Sequence, residues 1–363
     1  MSVGTSYVFF ASDRFGSIDA IIPLFCKLGL LKGSSLYFVF PERRALLQVR
    51  QDPFLNKVIN DFDIKCLCVD RCHPSFLQDC FGLAVLLLRF SNRLVFSRSL
   101  AGRKTQFVLG LTRLLGGKCF EAPRQKVPIR FKGVPRKTSD IPFLYQDETD
   151  LEKLAESGRS KGIRVGHPCF YKSWTEYVKK IAPDILRDEM RFAFADKPLI
   201  SVFLGSVVSG VFEWREQEQY ISDVLGVVDS LFGDRVRVVL KPHPTSDIEV
   251  ISHLVPNAFR SSVTLCTVNA CVLAAESRVV ICRHSSTILD VIALDTPVIL
   301  FQQFTTHWKK YHPDNSCYLQ LGIPCAETAT QLQYLLSREF DRVVGGSSVN
   351  YLLGTTEPAT IQL

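Results

Sequence analysis

The sequence has little that would take it into or across a membrane. Its most apolar run, Cys80–Leu88, is nine residues long, about half of what a helical bilayer span needs. Met1–Ser6 lacks the basic and then apolar pattern of a secretory signal, so a cytoplasmic location is expected. Nucleotide hydrolysis and nicotinamide chemistry lack their marks as well. There is no Walker A string and no complete G-x-G-x-x-G fingerprint. Helix-turn-helix, RNP and zinc-finger patterns are missing, so nucleic acid is not an expected partner. No two of the twelve cysteines stand in C-x-x-C spacing, which removes the common zinc and dithiol motifs. The remaining composition, 47% apolar against 22% charged, excludes a disordered or disulfide-stapled chain.

What is present suggests two domains, from a length of 363 residues. Several cysteines lie inside apolar runs, such as Leu67-Cys68-Val69 and Val280-Ile281-Cys282, where a reduced thiol acts as a small hydrophobe. Cys66, Cys68, Cys72 and His73 form the one grouping that could bind metal. Asp61-Phe62-Asp63 matches a D-x-D string but precedes a predicted strand, so it reads as a solvated turn and no metal is expected. Charge is uneven. Residues 81–140 hold thirteen Lys and Arg against Glu121 and Asp140, a balance of 13 − 2 = +11 within a chain of net +7. Two readings of that segment stay open. It could be helices with solvated basic faces, or a surface for a polyanionic acceptor or for anionic lipid, the last of which would make the protein peripheral at the inner face of the membrane.

Along the chain, strands alternate with helices from Tyr7 to Phe40 and again from Leu199 to Phe301. This indicates an α/β protein with parallel sheets. Residues 1–170 are assigned to a first Rossmann-like domain, 171–196 to a linker region, 197–345 to a second domain and 346–363 to a polar tail. In open parallel sheets ligands bind beyond the carboxyl ends of the strands. Two polar motifs are predicted there. Lys241-Pro242-His243-Pro244 follows the strand Val236–Leu240, and its prolines hold the imidazole on a stiff turn. Arg283-His284-Ser285-Ser286-Thr287 follows the strand Arg278–Cys282 and precedes a helix predicted from Ser286 to Leu294. Ser285 is expected as its N-cap, and the hydroxyls would bind an anion at the helix start.

These motifs resemble the C-terminal domain of GT-B glycosyltransferases, over about residues 166–300. The similarity is to bacterial enzymes that build capsule and lipopolysaccharide from CMP-activated sugars, the sialyltransferase and Kdo transferase groups. The resemblance implies two Rossmann-like domains facing a central cleft. It implies a metal-independent transfer of an acidic sugar from a CMP-linked donor to a cell-surface glycan or lipid-linked acceptor, without a cofactor. Nucleotide binding would fall to Lys241, His243, Pro244, Ser285, Ser286 and Thr287, with His243 also offsetting leaving-group charge. The acidic D/E-D/E-G motif that serves such sialyltransferases as general base is missing. Asp13, in the first β–α turn, and Asp147 and Glu148 are the candidates for that role. The alternatives are a glycerophosphotransferase of the CDP-glycerol type and a nucleotide-sugar epimerase or hydrolase of the same fold.

Overall fold

The computed structural model describes residues 5–11, 16–31, 33–40, 42–68, 84–85, 87–88, 90, 93–97, 103–122, 142–145, 162–190, 197–207, 212–244, 246–259, 263–283, 285, 287–302 and 322–341. They fall into two compact units, one within residues 1–174 and one beginning at Thr175. Each is built on its own parallel sheet.

The first unit contains β1 (Thr5–Phe10), α1 (Gly16–Gly29), β2 (Ser34–Phe40), α2 (Arg43–Gln51), α3 (Pro53–Asp61), β3 (Lys65–Cys68), β4 (Arg93–Ser97), α4 (Arg103–Leu114), β5 (Lys118–Glu121), β6 (Phe143–Tyr145) and β7 (Gly162–Arg164). Its strands run in the order β3-β2-β1-β4-β5-β6-β7. β1 and β2 are largely buried on both faces, which is why Tyr7–Phe10 and Leu36–Phe40 are continuously apolar instead of alternating. In register across the sheet, Phe9, Phe38 and Phe96 stand side by side. They pack on Phe25 of α1 with ring centroids 5.3–5.9 Å apart. One residue along each strand, Val8, Val39 and Val95 join the cluster containing Val108 and Leu109 of α4. Asp61 and Asp63 lie in the exposed turn before β3, where Asp61 pairs with Lys57 at 3.2 Å.

The second unit takes in α5 (Lys172–Met190), which crosses the division and fills most of the stretch read as a linker, then β8 (Leu199–Phe203), α6 (Trp214–Phe232), β9 (Arg237–Lys241), α7 (Ile248–Leu254), β10 (Val263–Leu265), α8 (Ala270–Glu276), β11 (Val279–Cys282), α9 (Ile288–Ala293), β12 (Val298–Phe301), β13 (Cys325–Ala326) and α10 (Ala329–Phe340). The strand order is β10-β9-β8-β11-β12-β13, all parallel. Ile200, Val202, Val238, Leu240, Ile281 and Phe301 form one face of the core with Tyr220 and Val224 of α6 and Leu332 and Leu336 of α10. Fully burying one such side chain contributes about 1.5–3 kcal/mol. The N-terminus of α6 is fixed by a reciprocal pair: Glu216 accepts from the Glu213 backbone N–H at 2.8 Å, and Glu213 accepts from the N–H of Glu216.

Six of the nine described cysteines are buried and none of the nine is bonded to another. Burial pushes the Cys119 thiol up to about 11 and raises that of Cys282 further, so these groups stay protonated and serve packing. Cys66 and Cys68 lie on β3, while Cys72 and His73 lie outside the described residues. Among the described residues no group of three or more His, Cys, Asp and Glu could hold a metal ion. No described helix is long and apolar enough to cross a membrane.

Candidate functional site

The second sheet reverses its direction of winding at β8. The chain passes from β8 to β9 and β10 on one side, then continues with β11, β12 and β13 on the other. Parallel α/β sheets bind ligands at such a point, beyond the carboxyl ends of the strands. The loops after β8, β9 and β11 therefore define the place. With neighbouring strands about 4.8 Å apart, the ends of β9 and β11 are about 10 Å apart across β8.

From β9, Lys241 continues the sheet, its carbonyl accepting from Leu204 N–H at 2.9 Å. The chain then turns at Pro242-His243-Pro244, closed by a bond from Ser246 N–H to the His243 carbonyl at 2.8 Å. The His243 side chain is half-buried. Burial, and next the charge of Lys241, holds its imidazole below the ordinary 6.5. At neutral pH it is an uncharged ring with one N–H to donate. A proton NMR titration of His243 is accordingly expected to give a midpoint below 6.5, and added CMP or phosphate should raise it, because a nearby anion favours the imidazolium. A midpoint above 6.5 in the free protein would contradict this environment.

From β11, Arg283 turns back over α6. Its guanidinium carbon lies 3.2 Å above the Phe212 ring and 6.0 Å from the centre of the Tyr220 ring. A Cβ placed on Gly205, just past β8, would be 3.8 Å from Arg283 Nη1, so the guanidinium lies against the β8 loop as well. Burial lowers the Arg283 pKa to about 10, opposed by Tyr220 and Glu216, and the group remains cationic. Arg283 Nε, Tyr220 Oη and both amide atoms of Gln217 are buried without a hydrogen-bond partner. Arg283, Phe212, Gly205, Tyr220 and Gln217 were not among the residues expected from the sequence. Arg283 had a signal, since it opens the second motif; Phe212, 71 residues earlier, had none.

The serine loop differs from the expectation. The helix starts at Ile288, not Ser286, and Ser285 does not cap it. Instead Ser285 Oγ and Thr287 Oγ1 bond to each other at 2.8 Å, and Thr287 N–H donates to Ser285 Oγ at 3.3 Å. A local hydroxyl turn has outcompeted helix capping. The helix after it is only six residues long, so the polar groups here are the hydroxyls and Arg283, not a strong helix dipole. Lys241, the last residue of β9, and His243, Pro244, Ser285 and Thr287, in the loops that follow β9 and β11, thus stand at one end of one sheet. Ser286, Asp13, Asp147 and Glu148 lie outside the described residues.

No family model matches the sequence, and no curated protein matches it. Solved structures do match in shape. The UDP-GlcNAc 2-epimerase of Methanocaldococcus jannaschii is 9% identical, with 95% of each chain covered and a TM-score of 0.63. A UDP-GlcNAc 2-epimerase from Neisseria meningitidis, bound to UDP-GlcNAc, is 12% identical with 95% of each chain covered and a TM-score of 0.59. A putative enzyme of that kind from Listeria monocytogenes is 11% identical, covering 98% of this chain and 91% of its own, at a TM-score of 0.58. The chain has a GT-B fold. Its two parallel α/β sheets agree with the class expected from the sequence.

Proposed function

We propose that the protein is an enzyme acting on a nucleotide sugar, with the second unit holding the nucleotide phosphate, and that its reaction is glycosyl transfer from a CMP-linked acidic sugar. The observation that supports this reading most is that Lys241-Pro242-His243-Pro244 and Arg283–Thr287 flank β8 at the carboxyl end of one sheet. When the glycosidic bond breaks, its electron pair goes to a phosphate oxygen of the leaving nucleotide. Lys241 and Arg283 supply positive charge there, and neutral His243 and the two hydroxyls supply donors whose positions are set before the reaction. Such groups act on charge that develops in the transition state, which is where an enzyme gains rate. The incoming acceptor hydroxyl must lose a proton, and a carboxylate suits that task. Asp13, Asp147 and Glu148 remain the proposed candidates.

A second reading is 2-epimerisation of UDP-GlcNAc. It is favoured by the likeness to solved epimerases over nearly the whole chain. Both reactions begin with departure of a nucleotide, so the same phosphate site serves either. They differ in the fate of the sugar, which passes to an external acceptor or returns to its nucleotide. The separating experiment incubates the purified protein with CMP-sialic acid, CMP-Kdo, CDP-glycerol and UDP-GlcNAc in parallel. Release of CMP from an acidic-sugar donor is the expected result. Conversion of UDP-GlcNAc to its 2-epimer, with CMP-sugars untouched, would replace transfer by epimerisation. CMP release from CDP-glycerol alone would indicate phosphotransfer.

A further inference from the structure

Helix α4 is apolar on two faces. Val108, Leu109 and Thr112 point inward and are at most 2% exposed. On the outward side Phe107 and Leu114 are 37% and 82% exposed, with half-buried Leu111 between them at helical spacing. Exposed Gln106 and Arg113 lie to one side of this outward strip, and a contiguous exposed apolar strip rimmed by polar residues marks a contact surface. Leu88 is a further exposed leucine, at 62%. Arg93 ties its segment to the end of α4, because its guanidinium donates to the carbonyls of Phe90 and Leu115, each at 2.9 Å. Leu114, Leu30 and Leu88 are the three most exposed leucines among the described residues, and two of these three belong to α4 and the segment tied to it.

The charge along this segment has one sign. Phe81 to Phe120 contains seven Lys and Arg and no Asp or Glu. Arg113 and Lys118, next to Leu114, are exposed. We infer that the outward face of α4, with Leu88, docks on an anionic lipid bilayer, its leucines and Phe107 entering the acyl boundary and its basic residues meeting the headgroups. Insertion of apolar side chains with a cationic flank is the usual chemistry of an interfacial helix. A second copy of this chain fits less well, since a two-fold pairing would oppose two basic surfaces. Nucleic acid would use the charge but has no use for exposed leucines. The surface belongs to the first unit and stands independently of the nucleotide site in the second.

The test is cosedimentation of the full chain with phosphatidylcholine vesicles, with and without about 30% phosphatidylglycerol. Binding is expected to the anionic vesicles only, and to weaken as salt rises and screens the headgroup charge. The double variant Leu88→Asp/Leu114→Asp should lower binding roughly tenfold or more. Both positions are exposed, and matching circular dichroism and melting curves would show the fold intact. If that variant fails to fold, Arg113→Gln/Lys118→Gln removes two charges and should weaken binding to the anionic vesicles. No binding to anionic vesicles at low salt would overturn the inference. So would equal binding to neutral vesicles, or unchanged binding in whichever of the two variants folds. Self-association abolished by the leucine variant, with no lipid binding, would assign the surface to a second copy instead.

Discussion

Replacing His243 by alanine should reduce turnover of the nucleotide-sugar donor by about 10²–10³-fold, the usual loss when one fixed donor to a developing oxyanion is removed. The effect should fall on kcat at least as strongly as on KM, because the charge on the leaving phosphate grows during bond cleavage. Folding should survive. His243 is only half-buried and stands on a turn held by Pro242, Pro244 and the Ser246–His243 backbone bond, none of which depends on the imidazole. His243→Asn retains an N–H donor and should recover part of the lost rate. His243→Ala with full activity and unaltered nucleotide affinity would remove the second unit's β9 loop from the site. The predicted donor in the free protein is the neutral imidazole, so kcat/KM should hold at pH 7 and above as far as this residue is concerned, and alter only as pH falls through the lowered pKa of His243.

The largest stability effect is expected at Tyr220, and it should separate the ring from its hydroxyl. The side chain is fully buried on α6, with its ring centroid 5.3 Å from that of Phe301. Tyr220→Ala removes an aromatic ring from a packed core and should cost about 3–5 kcal/mol. Tyr220→Phe removes only the hydroxyl, whose oxygen is buried without a hydrogen-bond partner. Taking away an unpaired buried polar group relieves desolvation, so this variant should be neutral or more stable by up to ~1 kcal/mol. Urea unfolding of the three proteins measures both. A loss above ~2 kcal/mol in Tyr220→Phe would mean that the hydroxyl is bonded to an ordered water, and that Gln217, one turn earlier on α6, belongs to the same wet pocket. Either result bears on Arg283, because its guanidinium carbon is 6.0 Å from the centre of the Tyr220 ring.

The strands were the most legible part of the molecule. Leu199–Phe203, Arg237–Lys241 and Val279–Cys282 are buried on both faces of a parallel sheet, and that burial imposes the continuous apolar runs visible in the sequence. The position of the two polar motifs was legible with them, since a motif directly after such a run must lie at the strand's carboxyl end. Helix boundaries were less legible. Ser285, Ser286 and Thr287 look like a cap, but a Ser–Thr hydroxyl bond is an equally local use of the same groups, and sequence does not rank the two. Residues 171–196 were read as a linker region between two runs of strand and helix signals; within them Val178, Ile181, Ala182, Ile185 and Leu186 form the buried stripe of α5. Arg283 over Phe212 was beyond reach, since stacking between distant residues leaves no spacing to read. Four His-Pro pairs occur in the chain. His167 of another pair is 1% exposed and opens a short 3-10 turn, whereas His243, of the two described, is the one that follows a strand of the second sheet.

The bond between Ser285 and Thr287 has a consequence for selectivity. One of the two O–H groups donates to the other oxygen, so that bond uses one hydroxyl hydrogen of the pair and not both, and it fixes where the two oxygens stand. If the loop holds the nucleotide phosphate as proposed, a hydroxyl donating to a phosphate oxygen would make a charge-assisted bond roughly twice as strong as one to a neutral sugar hydroxyl. The loop would then select its visitors by charge.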